Sequence, residues 1–239
     1  MNEILALTDV SRIFRNGRGL KKTSLTVREG EIVGLLGANG SGKSTLMKIA
    51  SGLTRPDTGE VFVMGENMKN APEKALGFIG ALIEAPALFP YMTARENLRT
   101  ALDYMGVKDK KAADEMLKGV GLDGYKRDKV KHFSLGMKQR LGLAMAFIGE
   151  KKLVLLDEPT NGLDIESASE IKDMIRKSAS ESGAAIVSSH LASEIERLAT
   201  RVVILREGAV LKDVSMAEAT KDGRTLEEYY LAAGMGERV

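Results

Sequence analysis

The stretch GLLGANGSGKSTLMKIASG at residues 34–52 decides the fold. Its first residues complete the apolar run EIVGLLG, which predicts a strand buried on both faces. The pattern that follows predicts a helix over residues 43–50. A glycine-rich loop between a strand and a helix is costly in backbone entropy. The loop therefore indicates that something approaches its backbone closely.

Residues 37–44 fit the pattern G-x-x-x-x-G-K-[ST], in which consecutive backbone N–H groups surround phosphate oxygens. The N-terminus of the predicted helix adds a partial positive charge. We expect Lys43 to reach the β- and γ-phosphates, Ser44 to offer its hydroxyl to Mg²⁺, and Thr45 to lie near the α-phosphate. The predicted nucleotide-binding residues of this loop are Gly37, Asn39, Gly40, Ser41, Gly42, Lys43, Ser44 and Thr45. The alternative is a chance match, against which the flanking strand and helix argue.

A second candidate segment is LVLLDEP at residues 153–159. An apolar strand that ends in Asp157 and Glu158 places two carboxylates at the edge of a sheet where α/β proteins bind ligands. We expect Asp157 to hold Mg²⁺, directly or through water, and Glu158 to orient and deprotonate an attacking water. The alternative is that both acids only end a strand before the turn at Pro159. The phosphate-binding pattern upstream favours the catalytic interpretation.

Composition narrows the class of protein. The chain has 239 residues, a formal net charge of +2 and no cysteine. Disulfides and thiolate metal sites are thereby excluded, and the near-neutral charge gives no indication of a nucleic-acid partner. No apolar run approaches the roughly 18 residues needed to span a bilayer, and the N-terminus does not resemble a secretory signal. We expect a cytoplasmic protein whose membrane role, if it has one, depends on a partner.

The order of elements predicts an α/β fold with a parallel sheet. Residues 3–28 read as β structure with a hairpin turn at Asn16-Gly17, and further strands are expected at residues 60–64 and 76–79. Residues 93–149 are expected to be mostly helical, beginning with a capping box at Thr93 and Glu96. After that the strand and helix alternation returns, with a helix expected over about residues 165–182.

These patterns divide a single predicted domain into three parts. Residues 1–84 and 150–214 are expected to form the α/β core. Residues 85–149 are expected to form a helical insertion, and residues 215–239 a short helical tail.

Over about residues 3–230 the sequence resembles the ATP-binding subunits of ABC transporters. In addition to the two segments above, FSLGMKQR resembles the signature motif of that family, through Ser134, Gly136 and Gln139-Arg140. The segment NGLD at residues 161–164 looks like its D-loop, and His190 stands at the position of its switch histidine. Phe14 matches the aromatic residue that stacks on adenine, although core packing is the alternative for this side chain.

The resemblance implies a P-loop NTPase core with an N-terminal antiparallel β subdomain and an inserted helical subdomain. It also implies that ATP is hydrolysed with Mg²⁺, with Glu158, His190 and Lys43 as the catalytic residues. Two chains would sandwich two ATP molecules head to tail, with Ser134 and Gly136 facing the γ-phosphate held by the other chain. Whether that second ATPase subunit is an identical chain or a sister chain stays open.

The further implication is a separate polytopic membrane permease, with this chain peripheral on the inner face of the cell membrane. Leu88, Phe89, Tyr91 and Met92 surround two prolines, and they are expected either to form a groove for the partner or to pack the helical insertion onto the sheet. No nucleic-acid partner is expected.

Two positions depart from the family pattern. Glu84 stands where a glutamine is usual, so it is a candidate Mg²⁺ ligand that also adds negative charge beside the phosphates. Leu135 replaces the first glycine of the signature motif. Both departures resemble the exporters of the bacitracin and lantibiotic type, which would export a peptide antibiotic, a lipid or another amphipathic compound. The alternatives are an importer, a nucleotide-gated regulatory subunit with weak hydrolysis, and a soluble ABC-type ATPase that acts on ribosomes or DNA.

Overall fold

The computed structural model describes residues 2–107, 109, 111–149, 151–180 and 182–234. The last five residues of the predicted tail, 235–239, lie outside the described residues. Within the described part, the strands are β1 (Glu3–Ile13), β2 (Gly19–Arg28), β3 (Ile32–Leu36), β4 (Thr58–Val63), β5 (Glu66–Asn67), β6 (Ile79–Leu82), β7 (Leu153–Asp157), β8 (Ala184–Ser189), β9 (Arg201–Arg206) and β10 (Ala209–Ser215).

The helices connect these strands and cover the sheet. They are α1 (Lys43–Ala50), α2 (Pro72–Gly77), α3 (Ala94–Tyr104), α4 (Ala112–Gly119), α5 (Leu135–Phe147), α6 (Ile165–Ser180), α7 (Ala192–Glu196), α8 (Met216–Ala219) and α9 (Leu226–Gly234). Short 3₁₀ turns lie at Asp123–Tyr125, Val130–His132 and Lys221–Gly223. No helix in the described ranges is long and apolar enough to cross a membrane.

The central sheet has six strands in the order β10-β9-β3-β8-β7-β6, of which all but the edge strand β10 run parallel. The pairing places Leu36 opposite Ser189 and Asp157 opposite Ser188. The carboxyl ends of β3, β7 and β8 therefore meet at one edge of the sheet, where ligand sites of open α/β sheets lie. This edge positions the candidate site.

Both faces of the central sheet are buried. Because successive side chains of a strand point to opposite sides, each strand contributes to two hydrophobic clusters. From β3, Val33 and Leu35 belong to one hydrophobic cluster, together with residues of α1 and the N-terminal strands. Ile32 and Leu36 belong to a second cluster, together with residues of α3, α5 and α6. The near-continuous apolar strands of the sequence reflect this double burial.

A second, antiparallel sheet has the order β2-β1-β4-β5. Its first two strands form the predicted hairpin, in which Gly17 adopts a positive φ of 75°. The backbone of Lys21 donates a hydrogen bond of 2.6 Å to the carbonyl of Gly208, next to the central sheet. The hairpin thereby holds the segment that contains Phe14 beside the phosphate-binding loop. The predicted fold class, an α/β core with an N-terminal antiparallel part and an inserted helical part, is confirmed.

The helical insertion begins with the predicted capping box. The Thr93 hydroxyl accepts a hydrogen bond from the backbone N–H of Glu96, and the Glu96 carboxylate accepts one from the backbone of Thr93. Next to it the buried Asn97 side chain both accepts from and donates to the backbone of Phe89. These bonds fix the loop that leads from β6 into α3.

Two predictions of local structure need correction. The strand predicted at residues 76–79 is wrong, because residues 76 and 77 end α2 and β6 starts only at Ile79. Pro72 at the first turn of α2 is well placed to start a helix, and that signal outweighs the apolar character of the following residues. The strand predicted at residues 60–64 is found slightly earlier, at Thr58–Val63, because Met64 adopts a positive φ of 51°.

Candidate active site

The predicted phosphate-binding loop, residues 37–44, connects β3 to α1 as expected. Gly40 and Gly42 adopt positive φ values of 80° and 109°, which disfavour any side chain. Gly37 is required for a different reason. A Cβ atom there would lie 2.4 Å from the carbonyl oxygen of Leu205 and 2.6 Å from Oγ of Ser41. Dihedral angles and close packing together therefore select the glycines of this loop.

Lys43 folds back over that loop. Its Nζ donates hydrogen bonds to the carbonyl oxygens of Gly37, at 2.6 Å, and Ala38, at 3.3 Å. Burial lowers the pKa of Lys43, and the charges of Glu158 and Asp157 oppose that shift. The loop thus holds a cation at low solvent exposure, where it can attract phosphate oxygens strongly.

Ser44 and Asp157 form the pair with the chemistry of a Mg²⁺ site. The Ser44 hydroxyl donates a 2.7 Å hydrogen bond to Oδ2 of Asp157, and the Ser188 hydroxyl donates to Oδ1. Both Ser44 and Asp157 offer hard oxygen ligands. Within the described ranges, no cluster of three His, Cys, Asp or Glu residues could hold a metal. The oxygen pair of Ser44 and Asp157 fits Mg²⁺, which usually takes one or two protein oxygens and completes its shell with phosphates and water.

Glu158 and His190 are in direct contact. His190 Nδ1 lies 2.9 Å from Oε2 of Glu158, and the backbone N–H of Glu158 donates a 3.0 Å bond to the Ser188 hydroxyl. Glu158 adopts a positive φ of 51°, which is uncommon for a residue other than glycine and is often found at functional sites. At this turn the Glu158 carboxylate contacts the histidine.

Phe14 lines the same cavity as residues of the phosphate-binding loop, Asp157 and Glu158. The Arg12 guanidinium carbon lies 5.3 Å from the centroid of the Phe14 ring, and Arg12 is paired with Asp57. Arg18 also lines the cavity, and the sequence reasoning missed it. The available signal in the sequence was that Arg18 follows the Asn16-Gly17 turn, in the same hairpin as Phe14.

The signature segment lies elsewhere on the surface. Ser134 caps α5, accepting a 3.2 Å hydrogen bond from the backbone of Met137, and Leu135 is 77% exposed. Neither Ser134 nor Gly136 lines the cavity that contains Lys43. A Cβ atom on Gly136 would lie 3.5 Å from the carbonyl of Gly162, so this segment abuts the D-loop. One chain alone therefore does not bring the predicted signature residues to its own phosphate-binding loop.

Glu84 is also outside the set of residues that line the cavity. Its carboxylate lies 2.5 Å from Nζ of Lys48, and its φ is 63°. The structure thus pairs this candidate metal ligand with a lysine of α1.

Glu194 is a residue of the site that the sequence reasoning missed. Its two carboxylate oxygens accept hydrogen bonds from the hydroxyls of Thr160, at 2.9 Å, and Ser189, at 2.8 Å. These bonds connect the loop that follows Glu158 to the segment that precedes His190. A glutamate four residues after a histidine carries no distinctive signal by itself.

Comparison with known proteins identifies the family. The model of the ABC transporter family matches residues 20–161. The bacitracin transport ATP-binding protein BcrA of Bacillus licheniformis is 37% identical over 97% of this chain and 76% of its own. The lantibiotic transport ATP-binding protein SrtF of Streptococcus pyogenes is 35% identical over 87% of this chain and 89% of its own. The chain belongs to the ABC transporter family of ATP-binding proteins, and it is an ABC ATPase.

Solved structures of similar fold support this family assignment. The ATP-binding subunit of an ABC transporter superposes with a TM-score of 0.89 at 27% identity, covering 97% of this chain and 99% of that one. A dimeric ATP-binding cassette in a post-hydrolysis state, bound to ADP and Pi, superposes with a TM-score of 0.82 at 26% identity, covering 89% and 99%.

Proposed function

We propose that this chain binds Mg–ATP and hydrolyses it to power a separate membrane permease, which exports a peptide antibiotic, a lipid or another amphipathic compound. One observation carries the proposal. The Glu158 carboxylate lies 2.9 Å from His190 Nδ1, while the adjacent Asp157 accepts a 2.7 Å bond from Ser44 of the phosphate-binding loop. A candidate base and a candidate metal pair thereby stand next to a phosphate cradle.

In the proposed reaction, water attacks the γ-phosphate. Glu158 accepts the proton of that water while the new P–O bond forms and the bond to the β-phosphate oxygen breaks. His190 holds the Glu158 carboxylate in place, and Lys43 and the loop N–H groups stabilise charge on the phosphate oxygens. Ser44 and Asp157 would hold Mg²⁺, which neutralises phosphate charge when bound.

The proposed working unit is a head-to-tail dimer. The exposed N-terminus of α5, capped by Ser134, has the partial positive charge that suits an anion presented by another chain. The similar cassette bound to ADP and Pi is dimeric. In such a dimer, each ATP site combines the phosphate-binding loop of one chain with Ser134 and Gly136 of the other.

Mixing two inactive variants tests this shared site. Lys43→Met disables the phosphate-binding loop, and Ser134→Asp keeps a good helix cap but places a negative charge against the γ-phosphate. Each variant alone is expected to be nearly inactive. If copies of this chain pair at random, about half of the dimers in an equal mixture contain one chain of each variant. Each of these mixed dimers has one intact site of its two, so roughly a quarter of the wild-type ATPase activity should return. No recovery at any mixing ratio would contradict a site shared between copies of this chain.

The loop between β6 and α3 supports a membrane partner. Leu88 packs against the core, whereas Phe89 and Tyr91 are 47% and 76% exposed. Met92 is also exposed, and Lys131 Nζ lies 5.9 Å from the centroid of the Tyr91 ring. The loop thus divides between the two expected roles: one side chain packs inward, and the other three offer an apolar surface suited to a helix of the permease.

Extraction from native membranes tests the transporter assignment. We expect the tagged chain, solubilised in mild detergent and purified, to bring down a polytopic membrane protein at near-stoichiometric ratio. The variant Tyr91→Asp, which places a charge in the exposed apolar set, should lose that protein but keep its ATP binding. Recovery of the chain with ribosomes or nucleic acid would instead favour a soluble ABC-type ATPase and would leave the ATP site standing.

Export of an amphipathic compound rests on the relatives that are named for bacitracin and lantibiotic transport. A regulatory subunit with weak hydrolysis is the second candidate. The ion pair of Glu84 with Lys48 favours this candidate, because most members of the family have a neutral glutamine at the position of Glu84. The contact between Glu158 and His190 favours turnover instead.

A further inference from the structure

Glu84 and Glu158 are equivalent in their strands. In the parallel pairing of β6 with β7, Leu82 lies opposite Leu156, and each glutamate follows two residues later. Both glutamates adopt positive φ, 63° for Glu84 and 51° for Glu158. With Asp157, three carboxylates therefore emerge from two neighbouring strand ends. Such a cluster repels the phosphates of a nucleotide unless cations compensate it.

Helix α1 supplies a hydroxyl donor, Ser44, and a compensating cation, Lys48. Ser44 and Lys48 are four residues apart and so lie on the same face of α1. Ser44 donates to Asp157, and one turn further along Nζ of Lys48 lies 2.5 Å from Oε1 of Glu84. Neither Lys48 nor Glu84 lines the cavity that contains Lys43, but Lys48 lies one turn from Ser44, which does, so the pair lies at the rim of that cavity.

The same pair links α1 to the helical insertion. Glu84 begins the loop that leaves the central sheet after β6. Two residues later Pro86 packs so closely on α5 that a Cβ atom at Gly142 would lie 2.5 Å from Cβ of Pro86. The Lys48–Glu84 contact therefore joins the helix of the phosphate-binding loop to the segment packed on the helix that Ser134 caps.

We infer that Lys48 is a positioning residue for nucleotide binding: its ion pair neutralises and orients Glu84 at the rim of the site and thereby preserves the affinity for Mg–ATP. This inference rests on the proposed ATP site. Without Lys48, the negative charge of Glu84 beside the nucleotide is uncompensated, so we expect the dissociation constant to rise while turnover at saturating ATP changes little. Lys48 itself need not touch the reacting atoms.

Calorimetric titration of the full-length chain with Mg–ATP tests the inference, with kcat and KM measured in parallel. Lys48→Met should raise Kd by about threefold to tenfold, a range that extends above that of exposed ion pairs because the nucleotide is highly charged. Lys48→Arg should keep Kd near the wild-type value. In a Glu84→Gln background, Lys48→Met should change Kd by less than about twofold, because the carboxylate that needs compensation is gone. Added KCl should shrink the effect of Lys48→Met.

Lys74→Met is the matched control, because it removes a lysine whose Nζ lies 3.6 Å from Glu66, a residue outside the cavity that contains Lys43. Its Kd should equal that of the wild type, and thermal unfolding of each variant should confirm an intact fold. An unchanged Kd for Lys48→Met, or an equal loss with Glu84→Gln present, would overturn the role of Lys48. A wild-type chain that binds no Mg–ATP would overturn the proposed function itself.

Discussion

Replacing Glu158 with Gln is expected to slow ATP hydrolysis by about 10²–10⁴-fold, the usual contribution of a general base. The amide cannot accept the proton of the attacking water, although it is nearly isosteric with the carboxylate and can still contact His190. ATP binding should be retained, because Lys43, Ser44 and Asp157 are unchanged. If binding closes the dimer and hydrolysis releases it, the variant should accumulate as an ATP-bound dimer.

Phosphate release measures the loss of turnover, and size-exclusion chromatography with and without ATP measures the dimer. Glu115→Gln is the matched control, since Glu115 is an exposed acid on α4 and does not line the cavity around Lys43. This control should hydrolyse ATP like the wild type and should not accumulate as a dimer. Normal hydrolysis by Glu158→Gln would mean that the assigned base is wrong.

Replacing Lys43 with Met should lower the turnover of ATP by about 10²–10³-fold, the effect of removing one preorganised group that stabilises transition-state charge. It should also weaken ATP binding. Nζ of Lys43 is held by two carbonyl oxygens of its own loop, and its burial leaves little room for water to replace the lost charge. Phosphate release and calorimetric titration separate the two effects.

The same substitution should change how thermal stability depends on pH. Burial penalises the charged form and lowers the pKa of Lys43, so the ammonium is less favoured over the neutral amine in the folded chain than in the unfolded chain. The folded chain releases this proton at lower pH than the unfolded chain does. Lys43 therefore raises the free energy of unfolding as the pH increases from its lowered pKa in the folded chain to the ordinary lysine value. Lys43→Met should show a smaller alkaline gain in melting temperature.

Lys151 provides the matched control for Lys43. Burial lowers the pKa of Lys151 as well, and its Nζ donates a 3.2 Å bond to the carbonyl of Gly77. Lys151 precedes β7, at the end of that strand opposite to Asp157. Lys151→Met should therefore keep normal ATP turnover. Equal losses in both variants would mean that the Lys43 effect reflects folding and not phosphate chemistry.

Local signals were sufficient for much of the fold and for one half of the site. The strand, glycine-rich loop and helix around residues 34–52 lie next to one another in the chain, so glycine, lysine and serine at fixed spacing predicted their geometry directly. The capping box at Thr93 and the turn at Gly17 were predictable for the same reason. The strand expected at residues 76–79 failed because a short apolar segment is compatible with helix or strand.

The contact between Ser44 and Asp157 was predictable in outline, because parallel strands end at the same edge of a sheet. It also depends on the order of β3, β8 and β7, which local patterns do not specify. The role of His190 was expected from the family resemblance alone, whereas its contact with Glu158 was not predicted and comes from the structure.

By itself, the sequence determined the phosphate-binding loop, the acidic strand end and the alternation that builds the core, because each depends on neighbouring residues and on periodic burial. Only the tertiary structure decided that Lys48 pairs with Glu84, that Arg12 lies over Phe14, and that Glu194 bridges Thr160 and Ser189. Charged and aromatic side chains of this kind are common on any surface. Their partners are selected by strand order, register and backbone dihedral angles such as the positive φ of Glu84, which arise only when distant segments pack together.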